Sequence, residues 1–308
     1  MSALVLVALL GLTVGAVVLG VGLVSARGAG PAPDRPAVAR AAQRHEAVVS
    51  VTATVVSVAA TTAVLMAPAM PLSRADEPRT PLFALGAATA PYLAAVLFCL
   101  VRALGERTWP RPRGAVRTAT LHRRTLRDTG GWRLTVLAGT VGTGVLAVLV
   151  YGATAMPDGQ RVGTLVTTRG DDLVEWGSAG PYPGWYYGVP VAVGLVCVCA
   201  AVLLALRTVT RRPPLPHLPA EHDDAVRRVA AARVLAGAQL WTGVGIGLTT
   251  LVAALALRST DHVVGATLSG IVGGVLLLGS VVVAATAVPR PQAHGARAGR
   301  EVLDGAPA

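Results

Sequence analysis

The side chains that could bind a metal ion, six histidines and three cysteines, are poorly spaced for a shared site. His217 and His222 lie five residues apart beside prolines, unlike the i,i+4 histidine pair of a helical zinc site. Cys197 and Cys199 lie two residues apart, so on a helix they point to different faces. We therefore expect no metal and no cofactor, and we interpret these two cysteines and Cys99 as small apolar residues.

Carboxylates that could act as general acids or bases lie only between the long apolar blocks of the sequence. The ones that could converge at one membrane face are Asp158, Asp171, Asp172, Glu175 and Asp261. Solvation in loops explains them equally well. The sequence also contains no G-x-S-x-G motif, no P-loop and no dinucleotide-binding fingerprint. An intramembrane enzyme that modifies lipid is therefore the least supported function.

The middle of every apolar block is free of Asp, Glu, Lys, Arg and His. Ion-coupled transporters, proton pumps and voltage sensors carry such groups at membrane depth, because these groups bind or relay the charge. The pattern argues against all three classes. A transporter for a neutral or amphipathic solute remains an alternative, since broken helices can bind solute through polar backbone.

Pro91 predicts one kinked helix, which we interpret chiefly as a packing feature.

An aromatic stretch rich in Pro and Gly precedes the fifth apolar block. Its aromatic residues are Trp176, Tyr182, Trp185, Tyr186 and Tyr187. Amphipathic rings prefer the headgroup layer, so the stretch is typical of an interfacial belt. The alternative is a rigid contact site on the outer face of the membrane, for a partner or a lipid-like ligand.

The elements that position these residues are long apolar blocks. Of 308 residues, 53% are hydrophobic and 14% are charged, against about 25% charged in soluble domains. Seven blocks reach the length of about 20 residues that crosses a bilayer, at 3–26, 47–70, 81–104, 134–156, 188–206, 236–257 and 263–288. The sequence thus predicts an all-α integral membrane protein, a bundle of about seven transmembrane helices. We expect one domain over 1–288 and a disordered tail over 289–308.

The first block has some features of a signal peptide. However, no basic segment precedes it, and its apolar run exceeds the roughly 7–15 residues of a signal-peptide core. Arginines follow it instead, which suits a retained helix with its N-terminus outside. Cleavage after Ala26 would leave six helices, and this alternative stays open.

The arginines predict the orientation. Of 27 arginines, 22 lie in alternate connections and the C-terminal tail, and five lie in the remaining connections. Cytoplasmic loops carry the basic excess, so we predict the N-terminus outside and the C-terminus in the cytoplasm. Because orientation explains the charge, the pI of 11.0 does not indicate a nucleic-acid partner. The absence of lysine is typical of a high-GC genome, and we expect a bacterial cell membrane.

Two connections should be ordered. Residues 221–235 predict a helix that continues into the sixth span, with Asp223–Arg227 and Asp224–Arg228 pairs at i,i+4 spacing. Residues 162–168 and 173–176 are β-prone and predict a hairpin across the turn 169–172.

Small residues predict where helices approach closely. Gly11 and Gly15 in the first block, and Ala266, Gly270 and Gly274 in the last, fit small-xxx-small packing within one chain or between copies.

Because the sequence gives no positive support for catalysis, the leading hypothesis is a non-catalytic accessory or interaction protein. Its partners would be another membrane protein or a second copy, besides the lipid bilayer. The Arg-rich loops would contact anionic headgroups, at about 1 kcal/mol per arginine.

Overall fold

Six α-helices and one β-hairpin make up the described part of the chain. The computed structural model describes residues 37–67, 79–108, 125–167, 174–212 and 220–287. The helices are α1 (Ala37–Met66), α2 (Arg79–Arg107), α3 (Leu126–Thr154), α4 (Trp185–Arg211), α5 (Ala220–Ser259) and α6 (Val263–Ala285). The strands between α3 and α4 are β1 (Val162–Thr167) and β2 (Val174–Ala179).

All six helices are long and apolar enough to cross a membrane. The chain is therefore a multi-pass, all-α membrane protein, and the six described spans coincide with the second to seventh predicted blocks. The first predicted block, 3–26, with Gly11 and Gly15, lies outside the described residues, as does the tail 289–308.

The helices alternate in direction, so the bundle has two distinct ends. At one end, Arg133 near the start of α3 donates to Thr286 just after α6, and Arg212 just after α4 pairs with Glu106 near the end of α2. We call this the basic end. The hairpin β1–β2 lies at the opposite end, between the last residue of α3 and the first of α4, and we call this the hairpin end.

Helix α5 is the central element of the bundle. It packs against α2, α3, α4 and α6, and 67% of its span is buried, whereas only 17% of the span in α1 is buried. The backbones of α5 and α6 approach each other closely at glycine residues. A Cβ placed on Gly273 of α6 would lie 2.7 Å from Thr250 Oγ1 and 2.9 Å from the carbonyl oxygen of Gly247 on α5. At this point the two helices are in backbone contact, which small residues alone permit.

Pro91 and Tyr92 lie where α2 meets two other helices. Tyr92 is 1% exposed and fits between two glycines. A Cβ on Gly194 of α4 would lie 2.9 Å from Tyr92 Cβ, and a Cβ on Gly245 of α5 would lie 3.0 Å from Tyr92 Cζ and 3.1 Å from Pro91 Cβ. The surroundings of Pro91 are therefore filled by neighbouring helices, in line with its interpretation as a packing feature.

The predicted hairpin is confirmed. β1 and β2 pair antiparallel, with Val162 opposite Ala179 and Thr167 opposite Val174, and the second strand extends three residues beyond the predicted 173–176. Its turn lies outside the described residues. An apolar cluster at the hairpin end, which includes Tyr151, Val162 and Tyr182, joins the hairpin to α3, α5 and α6.

Candidate functional site

Seven ionisable side chains meet at the basic end of the bundle. They come from α1, α2, α5 and the residue after α4, and they are Glu46, Arg102, Glu106, Arg212, Asp223, Arg227 and Arg233. We call this set the ion-pair cluster. Five of its members are buried, with Arg102, Asp223 and Arg227 no more than 2% exposed. Burial of this many charges in one place requires that each be paired.

Glu46 joins three helices in one half of the cluster. Its carboxylate forms an ion pair with Arg102 Nη2 on α2 at 2.8 Å and accepts a hydrogen bond from Arg233 Nη1 on α5 at 2.7 Å. Arg102 also donates to Ser50 Oγ, one turn further along α1, at 2.8 Å. These bonds fix the start of α1 against the end of α2 and the first third of α5.

Arg212 and Asp223 form the other half of the cluster. Arg212 pairs with Glu106 at 3.3 Å and with Asp223 at 3.8 Å, so it joins α2 to α5. Asp223 accepts from Arg227 Nε at 2.8 Å, which confirms the predicted i,i+4 pair. Arg227 Nη1 in turn donates to the carbonyl oxygen of Val209 at 2.9 Å and so caps the last turn of α4.

The arginines of this cluster carry fixed positive charges. Burial lowers the pKa of Arg212 below its ordinary value, and the neighbouring carboxylate of Glu106 opposes this shift only in part. A guanidinium has so high a pKa that it stays protonated in proteins. Arginines arranged in this way hold helices together.

Sequence reasoning assigned the members of the cluster to loops or to a connecting helix, because they lie near the ends of the apolar blocks. Arg102 falls within the predicted span 81–104, close to its end, and belongs with the arginines of the connection that follows. Arg102 and Glu106 have the same i,i+4 spacing as Asp223 and Arg227, but they pair with Glu46 and Arg212 and not with each other.

A second polar contact lies deeper in the bundle, at Gln239 of α5. Its amide nitrogen donates to Thr140 Oγ1 on α3 at 2.8 Å and to Ser280 Oγ on α6 at 3.1 Å. The side chain is 3% exposed. Its carbonyl oxygen and the hydroxyl of Thr242 have no hydrogen-bond partner among the described residues. The sequence pattern did not single out this glutamine, which lies within the sixth predicted span, 236–257.

An exposed tryptophan lies beside an arginine at the basic end, near the start of α3. Gly131, with φ +53°, interrupts α3 near its start. Trp132 is 52% exposed directly after this break. The Arg133 guanidinium lies 4.8 Å from the centre of the Trp132 ring and donates to the carbonyl oxygen of Thr286.

The predicted aromatic site divides into packed and exposed residues. Tyr182 is 1% exposed, forms a 2.6 Å hydrogen bond with Thr154 and contacts the Tyr151 ring edge-on at 5.6 Å between centroids. It therefore belongs to the core of the hairpin end. Tyr187 is also buried, and its ring lies edge-on to that of Tyr186 at 4.9 Å.

Trp185 and Tyr186 remain at the surface, at 47% and 37% exposure. The Trp185 ring lies against Gly152 of α3, where an added Cβ would come within 2.5 Å of it. Trp176 lies in β2 opposite Leu165, and its side chain is outside the described part. An outer contact site built on these residues stays a prediction.

The predicted stripe on α6 lies beside the closest contact with α5. Ala266 is buried in the hairpin-end core. A Cβ on Gly270 would be 3.9 Å from the Cβ of Ala254, and one on Gly274 would meet nothing within 4 Å. The neighbouring Gly273 makes the backbone contact instead. A role of Gly270 and Gly274 in contacts between copies stays a prediction.

In the described ranges, no group of three or more His, Cys, Asp or Glu could hold a metal ion. Comparison with known proteins adds no relative: no family model, no curated protein and no solved structure matches the chain.

Proposed function

We propose that the chain is a non-catalytic membrane protein that acts through contacts, as an accessory protein for other membrane proteins or for copies of itself. One observation carries this proposal. The buried charges at the basic end are bonded to one another across four helical elements, with each of the carboxylates Glu46, Glu106 and Asp223 paired to arginine. Carboxylates that are paired with arginine in this way fix the helices against one another. A rigid bundle of this kind supports a function that depends on contacts at its surface.

The basic end is the surface that we assign to the cytoplasmic leaflet. Exposed arginines surround the ion-pair cluster at Arg44, Arg107, Arg207, Arg211 and Arg228. Anionic headgroups attract such residues by about 1 kcal/mol each. We thus propose the lipid, and not a nucleic acid, as the partner of the basic residues. From the lysine-free composition we propose a bacterial cell membrane as the location.

Native mass spectrometry of the full chain, extracted in mild detergent, tests the proposal. We expect a stoichiometric assembly, either with a second membrane protein or as a homo-oligomer. A monomer that catalyses uptake of a solute into proteoliposomes would contradict the proposal.

The same spectra test the lipid contact. We expect the wild type to retain phosphatidylglycerol in preference to phosphatidylcholine. A triple variant, Arg44→Gln, Arg207→Gln and Arg211→Gln, should lose this preference. The matched control exchanges two exposed arginines at the hairpin end, Arg161→Gln and Arg258→Gln, and should keep it. Equal loss in both variants would contradict the assignment of the basic end.

A transporter for a neutral solute is the second candidate, and one observation favours it. The carbonyl oxygen of Gln239 and the hydroxyl of Thr242 are buried in the central helix with no partner in the described part of the chain, and an uncharged polar solute could bond to them. Under this candidate, Gln239→Leu abolishes solute uptake by proteoliposomes and leaves the oligomeric state unchanged. Under the accessory proposal there is no uptake to lose.

A further inference from the structure

We infer that the seam between α3 and α6 binds an uncharged amphipathic molecule from the membrane, and that a hydroxyl of this molecule bonds to Gln239. Both helices pack along α5, whereas their contact with each other is slight. Gln239 of α5 lies behind the line where they face each other, and its amide nitrogen binds Thr140 on α3 and Ser280 on α6. We call this line, from the basic end to the hairpin end, the α3–α6 seam.

Hydrogen bonds join α3 to α6 at both ends of the α3–α6 seam. At the basic end Arg133 donates to the carbonyl oxygen of Thr286 at 3.0 Å, and at the hairpin end Tyr151 donates to Ser269 Oγ at 2.9 Å. Thr140 lies seven residues beyond Arg133 along α3, which is about 10 Å deeper. Gln239 therefore meets the seam at a depth where hydrocarbon, and not water, is the neighbouring phase.

The wall of the seam on α3 is a glycine. Gly139 precedes Thr140 and is exposed, and an added Cβ on it would meet nothing within 4 Å. Successive residues of a helix are turned by about 100°. Gly144 lies on one side of Thr140 and faces α4, since an added Cβ there would lie 3.1 Å from Leu195. Gly139 is turned to the opposite side, toward α6.

The wall of the seam on α6 is also a glycine. Gly279 precedes Ser280 and is exposed, and an added Cβ on it would again meet nothing within 4 Å. Leu277 lies on one side of Ser280, where it packs against Gly247 of α5. Gly279 is turned to the opposite side, which faces α3. The seam is thus open between two glycines at the depth where Gln239 lies behind it.

One end of the Gln239 amide has no partner. The side chain is 3% exposed, and its carbonyl oxygen has no hydrogen-bond partner in the described part of the chain. An unpartnered amide group is costly inside a membrane, because no bulk water can reach it. A hydroxyl suits this position, since it can donate to the carbonyl oxygen and can also accept from the amide nitrogen if the amide is turned over.

A single chain fits the seam better than a helix does. The hydroxyls of Thr140 and Ser280 bind the same nitrogen at 2.8 and 3.1 Å, so they lie within about 6 Å of each other. A helix is about 10–12 Å across and cannot enter between them. The middle of every apolar block is free of ionisable residues, so a charged group would have no counter-ion there. The occupant is therefore an uncharged molecule with one apolar chain and a hydroxyl.

This site rests on the same unpartnered amide as the transporter candidate, but it depends only on binding and can be tested without uptake. The full chain in mild detergent is titrated with 1-dodecanol or with tridecane, a hydrocarbon of similar length without a hydroxyl. A ligand that binds the folded chain raises the midpoint of thermal unfolding, and this rise gives the half-saturating mole fraction of each probe. For one additional hydrogen bond we expect this fraction to be roughly three- to tenfold lower for 1-dodecanol.

Three variants locate the site. Gln239→Leu removes the amide and should make the two probes bind equally. Gly139→Leu fills the seam at its wall and should weaken the binding of both probes by about tenfold. Ala138→Leu is the matched control, because it adds bulk at an exposed position of α3 that is turned by about 100° from Gly139, and it should bind both probes as the wild type does. Gly139 and Ala138 are both exposed, so these two variants keep the test valid if Gln239→Leu fails to fold.

Four results would overturn the inference. The wild type binds tridecane as tightly as 1-dodecanol; the difference between the probes persists in Gln239→Leu; Ala138→Leu weakens binding as much as Gly139→Leu does; or neither probe raises the midpoint, in which case water or a second copy occupies the seam. The accessory proposal is tested separately by the native mass spectra, and a failure of this site leaves it unchanged.

Discussion

Charged side chains are buried in this protein near the ends of its membrane-length helices, where pairing makes their burial possible. A charge at the bilayer centre is costly, but near a helix end the long arginine stem can lie along apolar surface. Arg102 and Arg233 both reach Glu46, so one carboxylate fixes three helices. Replacing one partner of such a pair leaves an uncompensated charge behind, which is the larger part of the cost.

Arg102→Met should therefore destabilise the protein strongly. Methionine keeps most of the apolar volume but removes the bonds to Glu46 and Ser50, for an expected loss of about 3–5 kcal/mol in the free energy of unfolding. The control is Arg107→Met, an exposed position one turn and a half further along the same helix. Scanning fluorimetry in detergent measures both. If the two midpoints agree, the ion pair of Arg102 contributes nothing to stability.

Tyr182 gives a pH-dependent prediction at the hairpin end. Burial raises the pKa of its phenol above the ordinary 10.0, and the hydrogen bond with Thr154 lowers it in part. Because the folded-state pKa lies above the unfolded one, the neutral phenol stabilises the fold fully below pH 10, and this contribution is lost as the pH rises through the folded-state pKa.

Tyr182→Phe should cost about 0.5–1.5 kcal/mol at pH 7, the usual value of one hydrogen bond. Above pH 10 the wild type loses stability through this group and the variant does not, so the difference between them should shrink. Chemical unfolding at pH 7 and pH 10.5 measures both differences. Tyr186→Phe, at an exposed ring, serves as the control and should change stability little at pH 7. A difference that is constant with pH would contradict the argument.

At the scale of elements, α5 organises the molecule. It is a single helix of 40 residues that begins in the ion-pair cluster and ends at the hairpin end. Its basic-end part is held by charges and its membrane part by close packing against α6. Hydrocarbon does not drive two apolar helices together, so fit between their backbones must supply the attraction. Glycines at the contact are therefore structural requirements, whereas glycines elsewhere on α6 are not.

Gly273 and Gly274 form a matched pair for testing this contact. Valine at Gly273 would collide with Thr250 and with the backbone of α5, whereas valine at Gly274 meets open space. We expect Gly273→Val to lose about 1–3 kcal/mol of stability, as overpacked cores do, and Gly274→Val to lose little. Thermal unfolding and size-exclusion chromatography are measured together. A change of oligomeric state on Gly274→Val alone would support the predicted contact between copies at that glycine.

At the scale of the whole molecule, the sequence predicted what is local and missed what is distant. Apolar length predicted seven spans, of which the six in the described residues are found, and i,i+4 spacing predicted the pair of Asp223 and Arg227. The partners of Glu46 were beyond reach, since Arg233 is 187 residues away and no local periodicity connects them. The site of Gln239, 99 residues from Thr140, was missed for the same reason. Such pairs depend on which helices are neighbours, and the pattern within one helix does not encode its neighbours.

The orientation of the bundle remains a prediction that follows from the arginine distribution, and it can be tested on whole cells. In a background without native cysteines, Asp158→Cys at the hairpin end and Arg228→Cys at the basic end place one exposed thiol on each side. Cytoplasmic loops retain the positive charge, so a membrane-impermeant maleimide should label Asp158→Cys on intact cells and Arg228→Cys only after permeabilisation. A reporter fused after Ala308 should likewise be active only in the cytoplasm. Labelling in the reverse order would invert the side of every connection, and with it the assignment of the basic end to the cytoplasmic leaflet.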